Sequence, residues 1–195
     1  MADPRLTPAR PDLAAISLKG LVEAQRYAEP TRRAVLAAVT PMLRDRDITL
    51  PADTELLAGE QIDIYERDEE WIWGQAVRDG YVGFVAASDV AMTEKPAPTH
   101  AVNLLASRCF AVPELKTPSA DPLPFGAQVR VLAEKGDFAQ IAEAPDLWLL
   151  RAHLRPLAET APDWVAVAEM FLGMPYVWGG RSSFGLDCSA LVQLA

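Results

Sequence analysis

The sequence predicts an α+β chain of several units: two small β-barrels followed by a short helical segment. Three observations predict it. Apolar residues alternate with polar ones in short runs separated by turn signals. The pattern returns at an offset of 67 positions, pairing Pro51 with Pro118, Gly59 with Gly126 and Gln61 with Gln128. After Thr160 the period changes from two to that of a helix.

Residues 1–30 read as an N-terminal arm. A helix over Leu13 to Ala28 would have to cross Gly20, and an ordered arm packed on a barrel fits the same residues equally well.

The first unit spans 31–94. Gln61-Ile-Asp-Ile-Tyr65 alternates as a half-buried strand does, Trp71-Ile-Trp73 begins the next strand, and Tyr81-Val-Gly-Phe-Val85 returns from an Asp79-Gly80 turn. The second unit spans 99–158 and repeats the design with Gln128-Val-Arg-Val-Leu132 and Phe138-Ala-Gln140. The ungapped offset pairs Ile62 with Val129, Ile64 with Val131, Trp71 with Phe138, Asp79 with Asp146 and Tyr81 with Trp148. Glu94-Lys-Pro-Ala-Pro-Thr99 reads as the linker, because its prolines stiffen it and break any helix. Pro156 to Thr160 forms the second boundary.

Residues 160–195 are predicted to hold two helices. Trp164, Val167, Ala168, Phe171 and Leu172 share one face, with Thr160 and Asp163 as an N-terminal capping pattern and Gly173 and Pro175 closing the helix. Leu191, Val192 and Ala195 share a face with Cys188, so a second, buried helix is expected to begin at or just before that cysteine.

Composition excludes several functions. The net charge is −9, and Arg44 to Glu94 alone holds thirteen acidic against four basic residues. An acidic module repels phosphate backbones, so no nucleic-acid partner is expected. No apolar run reaches the roughly 18 residues of a membrane span. Met1 to Arg10 lacks the apolar core of a signal peptide, which points to a cytoplasmic protein, with action outside the cytoplasm left open. Two cysteines, Cys109 and Cys188, cannot make a disulfide framework, and two isolated histidines, His100 and His153, do not make a metal site. No cofactor is expected, and the sequence says nothing of oligomeric state.

Chemistry concentrates near Cys188. A cysteine on an apolar helical face is usually a small buried hydrophobe. Here glycines at 179, 180 and 185 precede it, Asp187 and Ser189 flank it, and Tyr176 and Trp178 supply aromatic walls. The N–H groups and dipole of a helix start favour a thiolate, which is a nucleophile. Cys109 reads as a strand-core residue, and His100 and His153 as satisfied histidines of the linker and second barrel.

Pro175-Tyr-Val-Trp-Gly-Gly-Arg181, Gly185-Leu-Asp-Cys-Ser189 and Leu191-Val-Gln193 resemble the nucleophile motif of NlpC-type papain-like cysteine peptidases. The upstream units, with a long polar segment after the first strand and an aromatic-rich centre, resemble the bacterial SH3-like domains such enzymes often carry. The resemblance covers most of 31–195. It implies two SH3-like β-barrels followed by the N-terminal helices of a truncated papain-like domain. It also implies hydrolysis of peptidoglycan stem peptides, typically between γ-D-glutamate and a diamino acid. By the same resemblance, Cys188 is the catalytic nucleophile and its N–H helps hold the oxyanion. Tyr176, Asp187 and Ser189 shape the substrate site, with Asp187 the partner of a free substrate amino group, a role compatible with capping the helix. Arg181 is a candidate for a substrate carboxylate, although solvent is its simpler destination. Ala190 departs from the family's usual glycine. Only seven residues follow Cys188, so the family's general-base histidine, its orienting residue and their sheet are expected to be missing, leaving this chain inactive alone. The alternative is a non-catalytic module whose SH3-like domains bind cell-wall peptide.

Overall fold

The computed structural model of the chain describes residues 3–142, 147–159 and 163–195. Asp146 and Thr160 lie outside them. The architecture is mostly sheet, with two short helices near the C-terminus.

The N-terminal arm is mostly extended: its only helical element among the described residues is a 3-10 turn at Ile16–Leu18, with no α-helix over Leu13 to Ala28. Strand β1 (Leu13–Ala15) runs parallel to β2 (Arg26–Ala28). Leu13 is fully buried against Trp73, Val82 and Phe84. The Arg10 guanidinium lies 4.4 Å from the Trp73 ring centroid and pairs with Glu66 at 2.6 Å. The arm therefore covers an aromatic face of the first repeat that would otherwise meet water.

The first repeat holds β3 (Thr31–Ala34), β4 (Val39–Met42), β5 (Thr54–Leu57), β6 (Gln61–Arg67), β7 (Trp71–Ala76) and β8 (Val82–Ala86), followed by a 3-10 turn at Ala87–Asp89. The alternation in β6 works as its sequence predicts: Ile62 and Ile64 enter the core with Val35, Met42, Leu56, Ile72 and Val85. The order is β3-β6-β7-β8, and the β4-β5 pair meets β8 through the Leu43–Phe84 bridge.

The second repeat holds β9 (His100–Val102), β10 (Ala106–Phe110), β11 (Ser119–Pro124), β12 (Gln128–Val129), β13 (Val131–Lys135), β14 (Phe138–Ile141), β15 (Trp148–Leu150), a 3-10 turn at Arg151–His153, and β16 (Leu154–Pro156). Its order, β11-β10-β15-β14-β13 with β12-β9-β16, matches the first repeat once β6 is seen as broken at Arg130 into β12 and β13. In each repeat the segment after the 3-10 turn pairs back, Val90 with Val35 and Leu154 with Val102. The ladders remain separate sheets and do not close into continuous barrels.

The ungapped offset holds only through β7 and β14. Trp73 pairs with Phe84, and Gln140 pairs with Trp148. Eleven positions separate the first pair and eight the second, so the second turn is three residues shorter. Trp148 therefore corresponds to Phe84 rather than to Tyr81.

The two repeats touch through main chain, with Gln128 N–H donating to the Ala58 carbonyl at 2.7 Å. Beyond them lie α1 (Trp164–Glu169), β17 (Arg181–Ser182), β18 (Gly185–Leu186) and α2 (Cys188–Leu194). Asp163 caps α1, its carboxylate accepting from Val165 N and Ala166 N. Gly173 adopts φ +84°, the left-handed geometry expected where the helical segment ends. Val167 and Phe171 are buried as expected, but Trp164 is 68% and Leu172 78% exposed. The helix is too short to bury the whole stripe. Its core partners are Phe125 of the second repeat with Leu186, Ala190 and Leu194. Among the described residues no helix is long and apolar enough to cross a membrane.

Candidate active site

The segment between α1 and α2 is tied into a compact loop. Tyr176 bridges Leu186, Val177 N–H donates to the Leu186 carbonyl at 3.0 Å, and Leu186 N–H donates to the Pro175 carbonyl at 3.1 Å. Strands β17 and β18 pair Arg181 with Leu186 and Ser182 with Gly185. Asp187 N–H returns to the Gly180 carbonyl at 3.0 Å. Gly179 has φ +70°, and a Cβ there would lie 2.2 Å from the Ala52 carbonyl oxygen. Only glycine allows the loop to lie so close to the first repeat.

Asp187 begins α2. Its Oδ1 accepts from Ser189 N at 2.9 Å, Ala190 N at 2.8 Å and Ser189 Oγ at 2.7 Å. The Asp187 carbonyl accepts from Leu191 N at 3.4 Å. The capping carboxylate does not use the Cys188 N–H, and no side-chain donor to its Oδ2 occurs among the described residues.

Cys188 opens the helix and is exposed. The expected buried face is rotated: Ala190 and Leu194 enter the core, whereas Val192 is 79% exposed. Leu186, Phe125 and Phe171 occupy the side on which α2 packs, and they select Ala190 and Leu194. Ala190, in place of the glycine expected from the resemblance, puts its methyl into this cluster. Tyr176, Trp178 and Phe184 are all exposed on the loop before Cys188.

Arg181 corrects the sequence reading. It faces neither solvent nor an open pocket: it is 1% exposed. Its Nη1 donates to Glu60 Oε1 at 2.9 Å and its Nη2 to Glu60 Oε2. Its Nε and Nη2 donate to the Glu55 carbonyl at 2.8 and 2.6 Å, and its N–H donates to Glu55 Oε2 at 2.7 Å. Burial pulls its pKa down, but hydrogen bonds and charge from Glu60, with Asp79 and Glu55 nearby, outweigh this and hold it above the usual value. Its side-chain donors are occupied within the protein, leaving little for a substrate carboxylate.

Glu60 and Arg78 are the residues sequence reasoning missed. Arg78 Nη1 approaches Glu60 Oε1 at 3.3 Å while its Nη2 donates to the Gln193 carbonyl at 2.9 Å, near the end of α2. The available signal was weak: an acid beside a glycine at a strand start, in a unit full of acids, gives no hint of a partner far along the chain.

The other candidates lie elsewhere. Cys109 is buried in β10 beside Val129, Ile141 and Leu149, and burial pushes its thiol up to about 11. His153 Nδ1 is 3.0 Å from Ser107 Oγ and His100 Nδ1 is 2.8 Å from Thr99 Oγ1, both in the second repeat. Among the described residues, no group of three His, Cys, Asp or Glu side chains gathers as metal ligands would.

Residues 45–90 match the family model described as the bacterial dipeptidyl-peptidase SH3 domain. The γ-D-glutamyl-L-lysine dipeptidyl-peptidase of Bacillus subtilis (strain 168) is 26% identical over 154 residues, covering 71% of this chain and 50% of that protein. The protein of the same name from Bacillus cereus (strain ATCC 10987 / NRS 248) is 25% identical over 162 residues, covering 72% and 48%. The chain thus spans about half the length of the curated relatives it matches. A crystal structure of an NlpC/P60 family protein from Bacillus cereus ATCC 10987 superposes with a TM-score of 0.68 at 17% identity, covering 83% of this chain and 70% of the other. Residues 45–90 are thus similar to a bacterial dipeptidyl-peptidase SH3 domain, the chain is similar to about half of each γ-D-glutamyl-L-lysine dipeptidyl-peptidase, and it shares the fold of an NlpC/P60 family protein.

Proposed function

We propose that this protein is a cysteine peptidase acting on peptidoglycan stem peptides at the bond between γ-D-glutamate and a diamino acid. In this reading 31–94 and 99–158 are two SH3-like units whose sheets stay open, and 160–195 carries the nucleophile-bearing elements of a papain-like domain. The observation that carries it is Cys188, exposed at the first position of a helix whose capping carboxylate leaves the cysteine's own N–H unclaimed. The names of the two curated relatives support the substrate class.

Cys188 Sγ attacks the γ-carbonyl carbon to form a thioester, the carbon–nitrogen bond breaks, and the diamino acid leaves as its amine, gaining the proton that the thiol gives up. Water then cleaves the thioester, regenerating the thiol and freeing the glutamyl carboxylate. In this reading the Cys188 N–H donates to the developing oxyanion. Asp187 Oδ1 holds the helix start, and its Oδ2 is the group offered to a substrate ammonium. Ser189 steadies that carboxylate through its hydroxyl, and Tyr176 walls the approach. His100 and His153 take no part as base, being engaged with Thr99 and Ser107.

The test is release of lysine from an L-alanyl-γ-D-glutamyl-L-lysine peptide by the full gene product. Cys188→Ser keeps the side-chain volume nearly constant but is a far weaker nucleophile, so turnover is expected to collapse while peptide binding persists. Wild-type turnover by that variant contradicts the reading.

A further inference from the structure

We infer that Glu60, in the first repeat, is a positioning residue for Cys188, acting through two arginines that hold the nucleophile's element at both ends. The inference rests on the nucleophile reading above. Glu60 is 3% exposed, and four donors converge on its carboxylate. Leu57 N–H donates to Oε2 at 3.0 Å, which fixes the carboxylate to its own turn. Arg181 grips both oxygens from the hairpin that precedes Cys188 by seven positions. Arg78 reaches Oε1 and also the Gln193 carbonyl, five positions after Cys188. One buried carboxylate of the SH3-like unit therefore holds both the loop that leads into the helix and the last turn of the helix itself.

The geometry favours positioning over plain adhesion. The apolar cluster of Phe125, Phe171, Leu186, Ala190 and Leu194 already attaches this segment to the second repeat. A planar guanidinium held on two carboxylate oxygens and one carbonyl admits a single orientation, whereas apolar contacts tolerate sliding. Desolvating two charges is costly enough that a buried ion pair is a poor choice for stability alone. What the pair supplies here is a fixed distance between the first repeat and β17, and hence the aim of Cys188. Displacement of a nucleophile by about 1 Å is worth on the order of a hundredfold in rate.

The experiment compares Glu60→Gln, Arg78→Gln and the paired apolar variant Glu60→Leu/Arg181→Met in the full gene product. Three quantities are read: thermal midpoint, kcat and KM on the γ-D-glutamyl-L-lysine peptide, and the pH profile of Cys188 alkylation by iodoacetamide. The apolar pair removes both charges but takes from the Leu57 N–H and the Glu55 carbonyl the partners they have here, so its thermal midpoint is expected to fall by several degrees while the protein stays folded. Its kcat is expected to fall at least about tenfold with little change in KM, and its alkylation profile to shift. Glu60→Gln is expected to lose kcat in the same sense. Arg78→Gln, at a partly exposed site that leaves the Arg181 grip in place, is expected to lose severalfold. Wild-type kcat and an unshifted alkylation profile in the folded apolar pair overturn the inference, because Glu60 is then structural only. So do unchanged kcat and profile in Arg78→Gln and a folded Glu60→Gln. Failure of the nucleophile reading is separate: it appears as turnover that survives Cys188→Ser. The alkylation profile still reports whether Glu60 controls the surroundings of Cys188 in that case.

Discussion

Phe125 and Phe171 meet edge to face, with ring centroids 5.5 Å apart and planes at 89°. Phe125 belongs to the second repeat and Phe171 to the turn after α1, so this contact joins the sheet to the segment that carries Cys188. Both rings are buried with Val167, Leu186, Ala190 and Leu194. Phe125→Ala removes a buried ring and leaves a cavity, and is expected to cost about 3 to 5 kcal/mol. Urea unfolding checks this. Near-wild-type stability would mean that the helices are not packed on the repeat.

The two cysteines are predicted to react very differently in the folded chain. Cys188 is exposed, whereas Cys109 is buried and its thiol is pushed up to about 11. Iodoacetamide at about pH 8 is expected to label Cys188 and spare Cys109 until the protein unfolds. Peptide mapping of the labelled protein reads the outcome, and equal labelling under native conditions contradicts it.

Asp187 has two separable roles. Asp187→Ala loses the cap as well as the charge and is expected to cost about 1 kcal/mol of stability. Asp187→Asn keeps an oxygen for Ser189 N and Ala190 N, so stability is expected to hold. It lacks the charge for an ammonium partner, so substrates with a free N-terminus are expected to lose more kcat/KM than blocked ones. Equal losses on the two substrates would leave Asp187 with the cap alone.

Asp79 carries a pH signature. Burial is the main cause holding its pKa above the ordinary 3.8, against the Tyr81 N–H and the Arg181 charge, which lower it. The folded protein therefore binds this proton more tightly than the unfolded one. The contribution is fully present below the unfolded value and is lost as pH rises through the folded one. Asp79→Asn mimics the protonated form, so its stability relative to wild type is expected to rise between about pH 4 and about pH 7. Urea midpoints at the two pH values test the sign.

Much of the sheet was legible in the sequence. Ile62 and Ile64 alternate with polar neighbours, and the repeat offset alone points to Val129 and Val131 as their counterparts in the second unit. The offset failed after β14 because the shared Asp79 and Asp146 suggested equal turns, while strand pairing shows the second turn to be shorter. Helix faces were less legible. Helices α1 and α2 run six and seven residues, under two turns each, and so short a period leaves open which side packs. Tertiary neighbours decided it, burying Ala190 and Leu194 and exposing Trp164 and Val192. Cys188 and its cap at Asp187 were legible because both lie in one local motif. The Arg181–Glu60 pair was not, since its partners stand 121 positions apart and each alone looks like a surface charge.

The most direct measurement is mass spectrometry of the full gene product, acid-quenched during turnover of the γ-D-glutamyl-L-lysine peptide and then digested. The peptide containing Cys188 is predicted to carry the added mass of the glutamyl-side acyl group, labile to hydroxylamine as a thioester is, and absent in Cys188→Ser. Steady turnover with no adduct on that peptide, undiminished when Cys188 is replaced by serine, would contradict Cys188 as the nucleophile.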